Sequence, residues 1–539
     1  MTLIENALAR LRAHNSSGDG PIPAGLRELG VGFAAIDGPL EARWFTALEE
    51  LAECVRPLVG SDPVLNEGGV YLGTWIESTG TINAEVLSRF APDVTIETHL
   101  TFARHQRDDG MIPYKVTDAG PAFSQIQIVT PLARSVWNTY LLTGRDTSYL
   151  STMYEAMERY DQWLARYRDS RGTGGVEAFC TYDTGHDLSP RFWFVADRGY
   201  RNDARQYDPD SPLVPYVAPD LTANVACQRS YLALIAEELG HDAEPWHEKS
   251  RQSEAALFAQ CFDDEDATFY DRNAAGEFVR IQSDVLLRVL ACEMGDASLF
   301  ASSLERYLMN TAKFLAHYGF TSIAMDDPRF DHDYTRNSWG GPSNFLSLIR
   351  APHAFEHHGH VAELALSTMP VLAALVAADR FPQCLDPWSG APGFTTKYSP
   401  SLLWLLDAVE RQFGILPRPD GEVWFSGLTP TRLDHGAAAT AVGYSRTVHE
   451  THYELAGDDH HIEVWHNGAE WMRFPRGWRI IVAAGVVRAI VGLSPTPVTG
   501  DLIIDGKTVS LTVSPNQRVE LHDLEEVSRS GPRFVSSRS

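Results

Sequence analysis

Apolar residues recur at helical spacing in segment after segment from about residue 40 to 415, and only helices packed on helices can bury so many one-sided stripes. The clearest segments are 126–142, 149–167, 221–239, 246–262, 285–294, 301–317, 361–378 and 402–413. Gly144 and Gly240 follow two of them as natural stops. The order suggests stacked helical hairpins. No fixed repeat period exists, which argues against a simple solenoid; periodicity does not distinguish a closed ring from an irregular bundle. Residues 171–220, 325–345 and 383–400 break the pattern with Gly, Asp, Pro, Tyr and Trp. Aromatic-rich loops of that length are expected to be ordered and functional.

Beyond residue 416 the period changes. Short β-rich runs at 444–454, 461–465, 478–482, 486–491, 502–504 and 509–513 are separated mostly by Gly, Pro, Asn and Asp. Asp505-Gly506 is a two-residue hairpin turn. A chain of 539 residues exceeds one ordinary core. Two domains are expected, a helical one over 1–415 and a small β-sandwich over 416–539, with a frayed polar tail at 528–539.

The charge narrows the partners. With 71 acidic against 45 basic residues the net charge is −26, which repels nucleic acid and anionic membrane alike. No stretch approaches 18 consecutive apolar residues, and the start, Met1-Thr-Leu-Ile-Glu5, lacks the basic and apolar pattern of a secretion signal. A cytoplasmic enzyme is expected; homo-oligomers are compatible with the sequence. The six cysteines are scattered without a CxxC pair and read as buried free thiols. His357, His358 and His360 lack a zinc-type spacing, and Asp263 to Asp266 lacks the glycine and terminal glutamate of a calcium loop. Neither metal nor cofactor is expected. Asp458-Asp459-His460-His461 reads as a polar hairpin turn.

The chemistry concentrates in one loop. It runs Glu177-Ala-Phe-Cys-Thr-Tyr-Asp183-Thr-Gly185-His186-Asp187-Leu-Ser189-Pro190-Arg191-Phe-Trp193. Cleaving a glycosidic bond takes two carboxyl groups, one of which must keep its proton to give to the leaving oxygen. An aspartate crowded by Trp, Tyr and Phe loses hydration, and its pKa rises toward that role.

Asp183-Thr-Gly-His-Asp187-Leu-Ser-Pro resembles the Glu-Ser-Gly-x-Asp-x-Ser-Pro motif of glycoside hydrolase family 63 and its trehalase relatives, a group that includes processing α-glucosidase and mannosylglycerate hydrolase. Other segments resemble the family in order: Trp75-Ile-Glu77-Ser78, Gln106-Arg107-Asp108-Asp109-Gly110-Met-Ile-Pro113-Tyr114, Ser338-Trp339-Gly-Gly-Pro342, and Asp386-Pro-Trp-Ser-Gly390 with Tyr398-Ser-Pro400. The resemblance spans about residues 65–415. It implies an (α/α)6 barrel, an inverting mechanism and Asp187 as general acid. By the same resemblance Trp75, Glu77, Arg107, Asp108, Tyr114, Asp183, His186, Arg191, Trp193, Trp339 and Gln383 bind substrate.

One position departs from the family. Its general base, a glutamate, falls on Gln383 here, and an amide takes no proton from water. Glu356 is the first substitute, with a salt bridge to an arginine or lysine, Arg350 for example, as its alternative role, and Asp386 the second. The chain is therefore expected to be an exo-acting glycosidase on a small glycoside. Phosphorolysis or transfer, elimination from a uronic acid, and carbohydrate binding without turnover are the competing readings, since one fold hosts many reactions.

Overall fold

The computed structural model describes residues 1–13, 18–430 and 438–532. A helical body precedes two antiparallel sheets. Its long helices follow the apolar periodicity: Thr147–Tyr167, Pro219–Glu238, Glu244–Cys261, Val361–Ala377 and Ser399–Phe413. Local chemistry sets their ends. Asp146 caps the first of them, accepting from Ser148 N at 2.8 Å and Tyr149 N at 3.4 Å. Pro219 opens the second, where a missing N–H costs nothing.

Three expected helices are shorter. The segment at 126–142 is helical only over Leu132–Leu142; Pro131 disfavours helix at the residue before it, and Gln127 has φ +48°. The segment at 285–294 stops at Leu290. The segment at 301–317 divides into Ala297–Ser303, a π-helical turn Leu304–Leu308, and a short strand Leu315–Ala316 paired with Gly319–Phe320.

The β-rich end forms a seven-stranded and a six-stranded sheet. The expected run 444–454 is two strands, Ala441–Val448 and Thr451–Gly457, joined at His449-Glu450. Asp505 and Gly506, at φ +49° and +78°, turn Val498–Ile504 into Lys507–Val513. Asp458 to His460 form the turn before His461–His466, as the sequence suggested.

The boundary at 415 needs correcting. Gly32–Ile36 pairs with Ala441–Val448 and edges the seven-stranded sheet, so the N-terminal segment joins the β-layer. Apolar alternation cannot show which distant strand a segment will pair with. The frayed tail is also corrected in part: Glu525–Ser530 pairs with Arg518–His522, while 533–539 lie outside the described residues.

Helical body and sheets share one hydrophobic core, which includes Trp44, Phe90, Trp404, Tyr444 and Ile480. Buried ion pairs reinforce the junction. Arg89 binds both Asp407 and Glu410, and Arg446 and Tyr444 reach Glu410 from the sheet. All six cysteines are buried.

Candidate active site

Residues drawn mostly from the loops between helices line a cavity of about 320 Å³, near the lower end of the ~300–1,000 Å³ usual for small-molecule sites. One wall is aromatic. Thr74–Trp75 pairs with Lys115–Thr117 and sets Trp75 opposite Lys115. Trp75 meets Tyr71 and Tyr114 edge-on at 6.0 and 5.7 Å, and Tyr71 packs 5.8 Å from Tyr398. Such faces suit the apolar side of a sugar ring.

Asp187 lines the same cavity. Asn337 donates from Nδ2 to its carboxylate, and its backbone carbonyl accepts from Trp339 N at 2.9 Å. Burial, reinforced by the charges of Glu77 and Asp197, pushes its pKa up to about 8. A carboxyl protonated at neutral pH is what leaving-group protonation requires.

Two further carboxyls line the cavity. Glu67 is fully enclosed and accepts from Ser78; burial and then the charge of Glu77 push it up to about 8. Burial also raises Glu77, but a hydrogen bond from Gln127 and the charges of Arg350 and Arg288 oppose the rise. Gln383 stands at the same cavity, its Oε1 accepting from Tyr71 at 2.6 Å and its Nε2 donating to Asn337 at 2.9 Å.

Residues 76–401 match the family model of the mannosylglycerate hydrolase MGH1-like glycoside hydrolase domain. The chain belongs to this family. It is a glycosidase. Among solved structures, a family 63 mannosylglycerate hydrolase from Thermus thermophilus in complex with Tris is 19% identical, with a TM-score of 0.57 over 67% of this chain and 98% of that one. The same enzyme with Tris and D-glycerate gives 20% identity, a TM-score of 0.57, and coverage of 68% and 99%. A sialidase reaches a TM-score of 0.62 at 13% identity, covering 89% of this chain and 44% of that one. These likenesses show the fold. No curated protein matches the sequence.

In this MGH1-like hydrolase the cavity gathers Asp187, Trp75, Glu77, Tyr114, Trp339 and Gln383 from the expected site. The other expected residues lie elsewhere. Glu356 is not in the cavity: it is buried among Arg411, Arg418 and Arg479 at 2.6, 3.3 and 3.5 Å. Burial opposes its ionisation, yet those arginines hold its pKa below the usual value. It serves the junction with the sheets, so the ion-pair alternative holds, with Arg411 rather than Arg350 as the nearest partner. Asp386 is also outside. It accepts from Ser389 N at 2.7 Å, Ser389 Oγ at 2.8 Å and Trp388 N at 3.1 Å, and it pairs with His332 at 2.8 Å. A carboxylate so fully engaged in its own turn does not face Asp187.

Three members of the acid motif support the loop instead of touching the cavity. Asp183 is fully buried and accepts from Ile126 N, Phe179 N and Arg168 at 2.9, 2.8 and 2.6 Å. Arg191 forks onto Asp271 at 2.7 Å and Asp220 at 3.0 Å. His186, with its pKa lowered to about 3 by burial, is neutral and lies 3.0 Å from Asp284. Arg107 pairs with Asp109 outside the cavity, Asp108 is exposed, and Trp193 is 46% exposed to solvent. Sequence reasoning missed Glu67, Tyr71, Lys115, Gln127, Arg198 and Asn337. Tyr71 and Glu67 stand within ten residues of Trp75, and Asn337 directly precedes the Ser338-Trp339 signature. Proximity to a recognised motif was the available signal.

Proposed function

We propose that this hydrolase removes the terminal sugar of a small glycoside with inversion, and that Asp187 is its general acid. The observation that carries the reading is Asp187 itself, a carboxyl with its pKa pushed up to about 8 facing an aromatic-walled cavity. The size of the cavity favours exo-action on a short substrate. In this reading the helices close as an (α/α)6 barrel, with the β-rich part beyond residue 416 as an accessory domain to which the N-terminal strand is added. The structural relatives include mannosylglycerate hydrolases, so mannosyl and glucosyl glycosides with a small leaving group are the first substrates to try.

The step follows from the side chains. Trp75, Tyr71 and Tyr114 seat the sugar ring, and Asp187 gives its proton to the glycosidic oxygen as the bond breaks. Positive charge then builds on the ring, as in other glycosidases. Glu77, which lies against the Asp187 loop and near Arg350 and Arg288, stabilises it in its ionised form. Water arrives beside Gln383, which can orient it but cannot take its proton; as the water oxygen bonds to the anomeric carbon it releases that proton to solvent, from which Asp187 regains its own.

The test is Asp187→Asn with a matched pair of alkyl and aryl glycosides. Turnover of the alkyl glycoside is expected to fall by about 10²–10⁴-fold, with less loss for an aryl group that leaves unaided. Circular dichroism should be unchanged. Near-wild-type turnover of the alkyl glycoside would sink the assignment. Proton NMR of the first-formed sugar reads the stereochemistry directly: retention of the substrate's anomeric configuration would refute inversion.

A further inference from the structure

Two cations in the cavity have no part in the hydrolytic step. Lys115 and Arg198 both line it, beside Asp187 and Gln383. Neither makes an ion pair with the described residues, Asp197 next to Arg198 included. The Lys115 ammonium rests over the Trp75 ring at 4.4 Å and the Tyr114 ring at 5.6 Å. Burial and the nearby charge of Arg198 lower its pKa. Two neighbouring cations repel each other, and an anion between them relieves that repulsion.

The rest of the cavity permits that anion. Glu67 and Asp187 each keep a proton up to about pH 8. Burial raises the third lining carboxyl, Glu77, as well, against the charges of Arg350 and Arg288. The position that should activate water is the neutral Gln383, with both ends of its amide already bonded. A nucleophile that is already anionic needs no base.

We propose that Lys115 and Arg198 hold inorganic phosphate in this cavity, and that phosphate replaces water as the acceptor of the glycosyl group. A phosphate oxygen forms the new bond to the anomeric carbon while the glycosidic C–O bond breaks. The leaving oxygen takes the Asp187 proton, so the products are an alcohol and a glycosyl phosphate. Asp187 is left as a carboxylate and regains its proton from solvent. No oxidation or reduction occurs. A guanidinium and an ammonium together match a doubly charged oxyanion. The inference rests on the glycosidase reading with Asp187 as acid.

The experiment uses the whole enzyme with α- and β-mannosyl and glucosyl fluorides, whose fluoride leaves with little help from an acid. Fluoride release is followed with and without phosphate, and the product is identified by phosphorus NMR. Phosphate is expected to raise the rate about tenfold and to give a glycosyl phosphate, while sulfate, which is not nucleophilic, should compete with it. Gln383→Glu is expected to raise the phosphate-free rate by roughly 10²-fold, the usual worth of a general base. Lys115→Met and Arg198→Met should each abolish the response to phosphate. Fluoride release that ignores phosphate and yields only free sugar would overturn the proposal while leaving the hydrolytic reading intact. Phosphate that only inhibits would also overturn it, because the cations would then grip an anion carried by the substrate. No fluoride release from any donor, with or without phosphate and in Gln383→Glu as well, would overturn both readings.

Discussion

A Cβ added to Gly185 would stand 2.2 Å from Oε2 of Glu77. Gly185 also has φ +66°, a conformation that costs other residues about 1–3 kcal/mol. The loop carrying Asp187 can therefore approach Glu77 only through a glycine. Gly185→Ala is expected to displace Asp187 and cut kcat/KM by roughly 10²-fold, with a lower Tm. Steady-state kinetics and thermal unfolding check both; an unchanged kcat/KM would show that this contact does not place Asp187.

As the proposed general acid, Asp187 must hold its proton to work. With Asp187 pushed up to about 8, kcat/KM is expected to stay level below that pH and to fall above it. Asn337 donates to the carboxylate, which favours the ionised form. Asn337→Ala should therefore move the alkaline limb to higher pH. A limb that shifts downward, or does not move, would assign it to another group.

Glu67 makes stability depend on pH. Its unfolded value is near ~4.3, and burial with the Glu77 charge raises it to about 8 in the fold. Between these values the folded chain holds a proton that the unfolded chain has lost, so this contribution is complete at low pH and disappears as pH rises through about 8. Glu67→Gln is expected to flatten the decline of Tm across that interval. A decline as steep as in the wild type would place the titration elsewhere.

Glu356 separates the junction from the chemistry. Removing its charge strands Arg411, Arg418 and Arg479; breaking a buried pair costs about 3–5 kcal/mol. Glu356→Gln is expected to destabilise the protein on that scale in denaturant unfolding, with the pH profile of kcat/KM unchanged. An acidic limb present in the wild type and lost in Glu356→Gln, against the level profile expected, would restore Glu356 as a base.

The two kinds of carboxylate explain what sequence could and could not show. Asp187 and Asp183 sit four residues apart in one loop of acidic and aromatic residues. One faces a cavity; the other is locked by Arg168 and the backbone of residues 126 and 179. Nothing within the loop separates them, because the deciding partners lie elsewhere in the chain. Arg191 shows the same effect: as a candidate sugar ligand it is spent on Asp220 and Asp271, 29 and 80 residues away. Lys115 and Arg198 stayed invisible for the converse reason, since a surface cation looks the same in sequence whether or not a carboxylate answers it.

Local order was written in the chain. Apolar periodicity determined the long helices, the alternation beyond residue 416 determined the strands, and the motif around Asp187 marked a loop that reaches the cavity, because helix stripes, strand alternation and turn chemistry act over a few residues. Tertiary structure alone decided that Gly32–Ile36 joins the C-terminal sheet, that Glu356 belongs to an arginine cluster, and that Gln383, Lys115 and Arg198 share a cavity with Asp187. Those outcomes depend on which distant segments meet, and burial and charge have no fixed value until they do.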